Sequence, residues 1–486
     1  MANSSSSIPP QPELQATTQN ELSELKTSRL DRRLSMAKTS LNLGRRWAGN
    51  SFSGLFLSKE EKASRNQAFM KEQAAYLADE LGKLKGSVVK IGQMLALYGE
   101  HFLHPEITEA LHRLNDSTAS LSWPVVERAL IEQLGQQRLN ELDISRTPIG
   151  TASLAQVHRA TIKATGKQVV LKVQYPGVAD AIDSDLSLFK HLLKVTNAVP
   201  QTKALDEWFN EISDLLKVEV DYLAEAQTTI RFYTRLKQDE RYVVPEVIEA
   251  YSTARVLCLS FEEGVPVTNA NLKALPQARR DALGKAAIDI MLNEIFVWGE
   301  MQTDPNFGNY LIRSEPADKP DGKDKLILLD FGAMRQFDEH LLKIARNLML
   351  AGFNYDKSQM MQAMQGYEFF DGMSAEVKAN MADVFLLATE PFRAPNLQQT
   401  TIPSLVDAQG YYHWAKSNLH KRLMESSGNA MQSREFSLPP KEFMFISRKF
   451  IGAYTFLTVL DARTNTYDTL SKFVPINMIA SGTPNA

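Results

Sequence analysis

Apolar positions along the chain change their period several times, and the changes mark out its organisation. Helical spacing begins near Leu34, and residues 59–100 read as a long helical stretch with Phe69, Ala74, Tyr76, Leu77, Leu81 and Leu84 at its apolar positions. Trp123-Pro124 follows a serine-containing turn and opens a further helix through Leu134. Between 148 and 175 the period shortens. Two β-like runs, 156–162 and 168–174, are joined by Ala164-Thr165-Gly166-Lys167, which predicts a hairpin. Residues 178–237 are helical again, followed by strands at 242–247 and 255–261 and one strongly apolar helix over 279–300. Short strands at 310–312 and 326–329 flank a polar turn rich in Asp, Lys, Pro and Gly, and from about 337 the pattern is mostly helical. Residues 1–33 are rich in Ser, Pro, Gln and charge and lack an apolar face, which predicts disorder.

This order predicts an α+β protein of two lobes with a ligand cleft, preceded by a helical extension. The boundaries expected are a disordered segment 1–33, a helical extension 34–135, a strand-rich lobe with a helical insertion 136–262, and a helical lobe 263–486.

Composition narrows the function classes. The 486 residues are 44% hydrophobic and 23% charged, with net charge −3. That balance supports large cores and gives no basic excess for nucleic acid, so none is expected as a partner. The single cysteine, Cys258, lies in the apolar run Val256-Leu257-Cys258-Leu259, which predicts a core position and excludes an internal disulfide framework. The N-terminus has no basic segment leading into an apolar one, and Glu13, Glu21 and Glu24 weigh against a transit peptide. The most apolar run, 450–460, is too short to span a bilayer and follows Arg448 and Lys449, so a buried helix is expected. A cytoplasmic protein, at most peripheral at the inner membrane, is the expectation.

The candidate chemistry lies downstream of the apolar helix. Asp304 is followed five positions later by Asn309, and then by Asp330-Phe331-Gly332 after a strand, which is the order of a kinase catalytic and metal-binding arrangement. Phosphoryl transfer needs positioning and charge neutralisation. Asp330 offers a carboxylate and Asn309 an amide oxygen to Mg²⁺, a hard cation that prefers oxygen, while Asp304 stands where a nucleophile is oriented. Upstream, Val169-Val170-Leu171-Lys172-Val173 is an apolar strand carrying one lysine. Its charge requires an anionic partner, here expected to be ATP phosphates with Glu225 holding the lysine. The preceding loop, Gly150-Thr151-Ala152-Ser153, contains one glycine where an ordinary kinase has a glycine-rich turn, and residues 260–264 with Glu262 are the expected adenine-binding hinge.

Four motifs in order resemble the UbiB (AarF) family of atypical kinases, which support ubiquinone biosynthesis: Lys90-Ile91-Gly92-Gln93, the Ala152-Ser153 loop, Glu219-Val220-Asp221, and the Asp304–Asn309 and Asp330-Phe331-Gly332 pair. Gln174-Tyr175-Pro176-Gly177 is also family-like, and the likeness runs from about 80 to 340. The resemblance implies a bilobal protein-kinase-like fold whose helical N-terminal extension covers the active site. It implies that Lys90 and Gln93 gate the site near Glu219 and Asp221. It implies ATP and Mg²⁺ as cofactors and an ATPase or small-molecule kinase activity. Isoprenoid-quinone precursors, membrane lipids and quinone-biosynthesis enzymes are the partners implied. Gly150-Thr151 departs from the all-alanine loop of many members. A nucleotide-binding scaffold and a protein kinase acting in trans are the rival readings.

Other polar residues carry bland alternatives. His158 reads equally as a packed strand histidine, and His101 and His104 have no further ligand at zinc spacing.

Overall fold

The computed structural model describes residues 71–72, 75, 87–98, 109, 111, 120–195, 203–304, 307–365, 367–370, 372–431 and 441–473. The expected disorder of 1–33, the helical start at Leu34, most of the 59–100 stretch and both His101 and His104 lie outside the described residues. The chain divides into two compact units, one of residues 1–220 with 249–258, the other of 221–248 with 259–486.

In the first unit, helix α1 (Ser87–Tyr98) buries Val88, Ile91 and Leu95, the i, i+3, i+7 face that helical spacing requires. It packs on α3 (Val178–Val195) and α4 (Lys203–Glu219), which supply Ile182, Phe189, Leu193, Ile212 and Leu216. Helix α2 (Trp123–Asn140) runs further than expected, crossing a kink at Gly135 where φ is +78°. The sheet has β1 (Leu142–Ile144), β3 (Ala155–Ile162), β4 (Gln168–Gln174) and β6 (Val256–Ser260) in that order, with β2 (Gly150–Thr151) also paired to β3. Strands β3 and β4 form the expected hairpin, in register from Ala155 opposite Gln174 to Thr161 opposite Gln168. Gly166, at φ +69°, supplies the left-handed residue of its turn. Strand alternation buries Val169, Leu171 and Val173 and puts half-buried Lys172 on the opposite face, across from Val157.

The second unit is built round α6 (Gln277–Phe296), thirteen of whose residues are buried. The sequence predicts this helix to residue 300; it stops at Phe296 because Gly299 turns the chain at φ +60°, and Glu300 begins β8 (Glu300–Gln302). Buried Glu300 is held by Arg231 and by Arg235 at 2.9 Å from α5 (Tyr222–Leu236). A four-stranded sheet runs β5 (Tyr242–Val243), β10 (Lys325–Leu328), β9 (Tyr310–Arg313), β7 (Val265–Pro266), and β8 pairs with β11 (Met334–Gln336). The strand expected over 242–247 is cut to two residues because Pro245 cannot donate to a ladder; Val247 meets Leu259 only at an isolated bridge. The polar turn between β9 and β10 is anchored from within. Arg279 of α6, buried, donates to the carbonyls of Glu315, Pro316 and Lys319 at 2.8–2.9 Å and pairs with Asp324. Beyond it lie α7 (Glu339–Phe353), α8 (Lys357–Gln365), α9 (Ala375–Ala388), α10 (Leu419–Met431) and α11 (Lys441–Leu460). Helix α11 buries Tyr454, Phe456, Leu457 and Leu460, and no described helix is long and apolar enough to cross a membrane.

Candidate active site

Asp304 and Asn309 lie on the segment that leaves β8 and enters β9. The Asn309 amide nitrogen donates to the Asp304 carbonyl at 3.2 Å and faces its carboxylate at 3.4 Å. With its nitrogen so engaged, the Asn309 amide oxygen is the acceptor a metal would take. Asp330 lies two residues past the end of β10. Pairing of β10 with β9 sets Leu328 opposite Tyr310, and the Leu329 N–H donates to the Asn309 carbonyl at 3.0 Å, so Asp330 follows the residue bonded to Asn309 at the ends of neighbouring strands. Asp330 Oδ1 accepts from the Gly332 N–H at 2.8 Å, a local turn that fixes its rotamer.

The residue that joins these segments is Gln302, to which its sequence context alone gives no role. Its side chain is buried. Nε2 donates to the Asp330 carbonyl at 2.6 Å, and Oε1 accepts from the Asp304 N–H at 2.9 Å. One amide thus spaces the Asp304 backbone from the Asp330 backbone. Thr303 adds two bonds to the Ala333 carbonyl, at 3.0 Å from its N–H and 2.8 Å from its hydroxyl. A polar residue at a buried strand end, two before an aspartate, was the available signal.

Glu225 lies in the first turn of α5 and is buried. A Cβ placed on Gly332 would come within 3.1 Å of the Glu225 carboxylate and 3.2 Å of the Asp330 carboxylate, so glycine at this position lets the two acids approach the same turn. Two turns along the same helix, Phe232 packs against Phe331 at 4.8 Å between ring centroids. Helix α5 therefore presents an acid and a ring to the Asp330-Phe331-Gly332 segment. Asp221 caps this helix, its carboxylate accepting from the Ala224 N–H at 3.0 Å. Glu262, in the expected hinge, takes the Ser260 hydroxyl at 2.7 Å and Arg313 at 2.6 Å.

The remaining candidates belong to the first unit. Lys90 pairs with Glu219 at 2.6 Å, with Gln93 half-buried further along α1. Gly150 is paired to Val157 in β2, and the Ala152 N–H closes a tight turn on the Ala155 carbonyl at 2.8 Å, leaving Ser153 half-buried at its tip. His158 is a packed histidine. Its Nδ1 faces the Ser145 carbonyl at 2.8 Å and so carries the proton, its Nε2 accepts from Gln156 at 2.8 Å, and Trp123 meets its edge. Burial lowers its pKa, against the raising effect of the Ser145 carbonyl. Cys258 is fully buried and burial pushes its thiol up to about 12, which makes it inert.

The donor set in the second unit suits magnesium. Among the described residues there is no group of three or more His, Cys, Asp or Glu able to hold a metal. Mg²⁺ is ordinarily bound through one or two carboxylates completed by substrate phosphates and water, which one carboxylate and one amide oxygen at adjacent strand ends match.

Comparison with known proteins gives one family. Residues 113–364 match the model of the ABC1 atypical kinase-like domain. The chain is 30% identical over 416 residues to the mitochondrial atypical kinase COQ8 of Schizosaccharomyces pombe, covering 83% of this chain and 64% of that protein. It is 28% identical to the mitochondrial atypical kinase coq-8 of Caenorhabditis elegans over 83% of this chain and 51% of the relative. It is 27% identical to a probable serine/threonine-protein kinase, abkA, of Dictyostelium discoideum over 84% and 72%. The chain thus spans about half to two thirds of the length of the first two relatives. A Mycobacterium tuberculosis protein solved in complex with erythromycin superposes with a TM-score of 0.52, at 21% identity, over 86% of this chain and 99% of its own, a likeness of fold. The expected α+β kinase-like class is borne out.

Proposed function

The chain belongs to the ABC1 atypical kinase-like family, and from that premise we propose that it binds Mg-ATP and hydrolyses it, or passes its phosphoryl group to a small molecule, in support of isoprenoid-quinone metabolism. The observation that carries this reading is the Gln302 bridge, which fixes Asp304 and Asp330 on one frame with Asn309 beside them. Asn309 and Asp330 hold Mg²⁺, which when bound neutralises charge on the phosphates. Asp304 orients water or a substrate hydroxyl and accepts its proton. A bond forms from that oxygen to the γ-phosphorus as the bond from phosphorus to the β–γ bridging oxygen breaks, and ADP leaves with the electron pair. A role for Lys172 in neutralising ATP phosphates rests on the family resemblance alone. A link to quinone metabolism is supported by the likeness to the COQ8 relatives, and work at a membrane periphery, on quinone precursors or beside their enzymes rests on the motifs shared with the UbiB family.

The test is ATP turnover with and without quinone-precursor mimics and vesicles, in the native chain and in Asp304→Asn and Asp330→Asn. The reading expects Mg²⁺-dependent turnover, stimulation by the lipid additions, and loss of turnover of at least a hundredfold in both variants. Full turnover in Asp304→Asn would end the catalytic assignment. Mg-ATP binding without turnover in the native chain would favour a scaffold, and transfer to an added protein would favour a protein kinase.

A further inference from the structure

The segment bearing Asp304 and Asn309 is supported from a helix that follows long after the motifs. Lys449, on α11, is fully buried, with only 4% of its side chain exposed. Its ammonium pairs with Glu294 of α6 at 2.6 Å and donates to the Tyr310 hydroxyl at 3.0 Å. Glu294, equally buried, also accepts the Gln302 N–H at 3.4 Å. Gln302 and Tyr310 are the two ends of the 303–309 segment: Gln302 carries the bridge to Asp304 and Asp330, and Tyr310 follows Asn309 immediately. A single cation is thereby tied to both ends of the segment that carries the candidate nucleophile-orienting residue and a metal ligand. An ion pair in this setting is costly to desolvate and contributes stability only through good geometry. Burial opposes the Lys449 charge, but attraction from Glu294 and the bond to Tyr310 outweigh it and raise the lysine's pKa.

We propose that Lys449, acting through Glu294 and Tyr310, is a positioning residue that sets the spacing of Asp304, Asn309 and Asp330 for Mg-ATP. This rests on the function proposed above and extends its machinery beyond the matched segment 113–364, whose end precedes α11. Tyr310 is bonded to Lys449 directly and Gln302 to its partner Glu294, so loss of the pair frees both ends of the segment at once. A purely structural pair would change stability alone; a positioning pair changes the metal requirement of a folded protein.

The experiment uses the full chain and three variants: Lys449→Met, the double Lys449→Met with Glu294→Met, and Tyr310→Phe. The single change strands a buried carboxylate and is expected to lower the melting temperature strongly. The double change removes both charges at nearly constant volume and restores it. In the double variant the Mg²⁺ concentration for half-maximal ATP-dependent thermal stabilisation is expected to rise at least fivefold, and in Tyr310→Phe two- to threefold with a melting temperature lowered by only a few degrees. An unchanged Mg²⁺ midpoint in a folded double variant refutes the proposal. If the double variant does not fold, an unchanged midpoint in Tyr310→Phe refutes it. Absence of any Mg-ATP stabilisation in the native chain refutes the functional reading and this proposal with it, whereas native binding with unaltered variants refutes only the positioning role.

Discussion

Replacing Gln302 with methionine isolates the hydrogen-bonding role of that side chain, because the volume is nearly kept while both polar atoms are lost. The native amide makes two bonds, 2.6 Å to the Asp330 carbonyl and 2.9 Å from the Asp304 N–H. Each bond contributes roughly 0.5–1.5 kcal/mol net, and a backbone group left without a partner costs about 1–3 kcal/mol where water cannot replace it. Asp304 and Asp330 are themselves half-buried, so water reaches part of the gap and the lower half of the range applies: about 2 kcal/mol in all. In a unit of this size that corresponds to a melting temperature lower by roughly 4–8 °C. The larger consequence is expected in the ligand response. With the two loops unlinked, saturating Mg-ATP must also order them, and every 1.4 kcal/mol so consumed weakens binding about tenfold. The assay is chemical denaturation without ligand, paired with titration of ATP at fixed Mg²⁺. A variant that loses stability but binds Mg-ATP with native affinity would refute the claim that Gln302 organises the site; one that loses neither would refute the hydrogen bonds themselves.

Three other outcomes are expected. Arg279→Met should destabilise the second unit by about 3–5 kcal/mol in chemical denaturation, since it strands buried Asp324 and three carbonyls of the polar turn; a loss below about 1 kcal/mol would show that the turn is held elsewhere. His158 has a folded pKa below its unfolded value of about 6.5, so the unfolded chain binds more protons there. Stability should therefore rise with pH between the lowered folded value and about 6.5, and the slope in melting temperature over that window should shrink in His158→Gln. Lys90→Met breaks a partly exposed ion pair and should cost no more than about 1 kcal/mol of stability. If Lys90 gates the site, as the family resemblance implies, the same change raises phosphorylation of the chain itself, read by mass spectrometry; unchanged phosphorylation would count against the gate.

Much of the site was legible because its residues follow one another in a fixed order. Asp304, Asn309 and Asp330 could be picked out by spacing, and alternation in β4 was enough to put Lys172 on the face opposite the core. The capping role of Asp221, whose carboxylate accepts from the Ala224 N–H at the start of α5, is not evident from its motif alone. Element ends failed where a single residue overrode the pattern, as Gly299 did for α6 and Pro245 for the strand at 242. The supports were not legible for a different reason. An acid within an apolar helix, such as Glu294, and a lysine within another, such as Lys449, look like ordinary breaks in periodicity until the packing of α6 and α11 makes them partners. Sequence spacing carries no information about which distant charge will neutralise which.

The Lys449–Glu294 pair also bears on how the protein is made. All four motifs, and the whole of the matched segment, are synthesised before α11. At roughly 5–20 residues per second, Glu294 waits on the order of ten seconds for its ammonium. Until then a carboxylate destined for a dry interior has no cation, and it can remain solvated or protonated rather than buried and charged. Closure of the metal segment by this pair must therefore follow the synthesis of α11. A nascent or truncated chain that ends at 364 carries every recognisable motif and still lacks the charge that ties the two ends of its metal segment together.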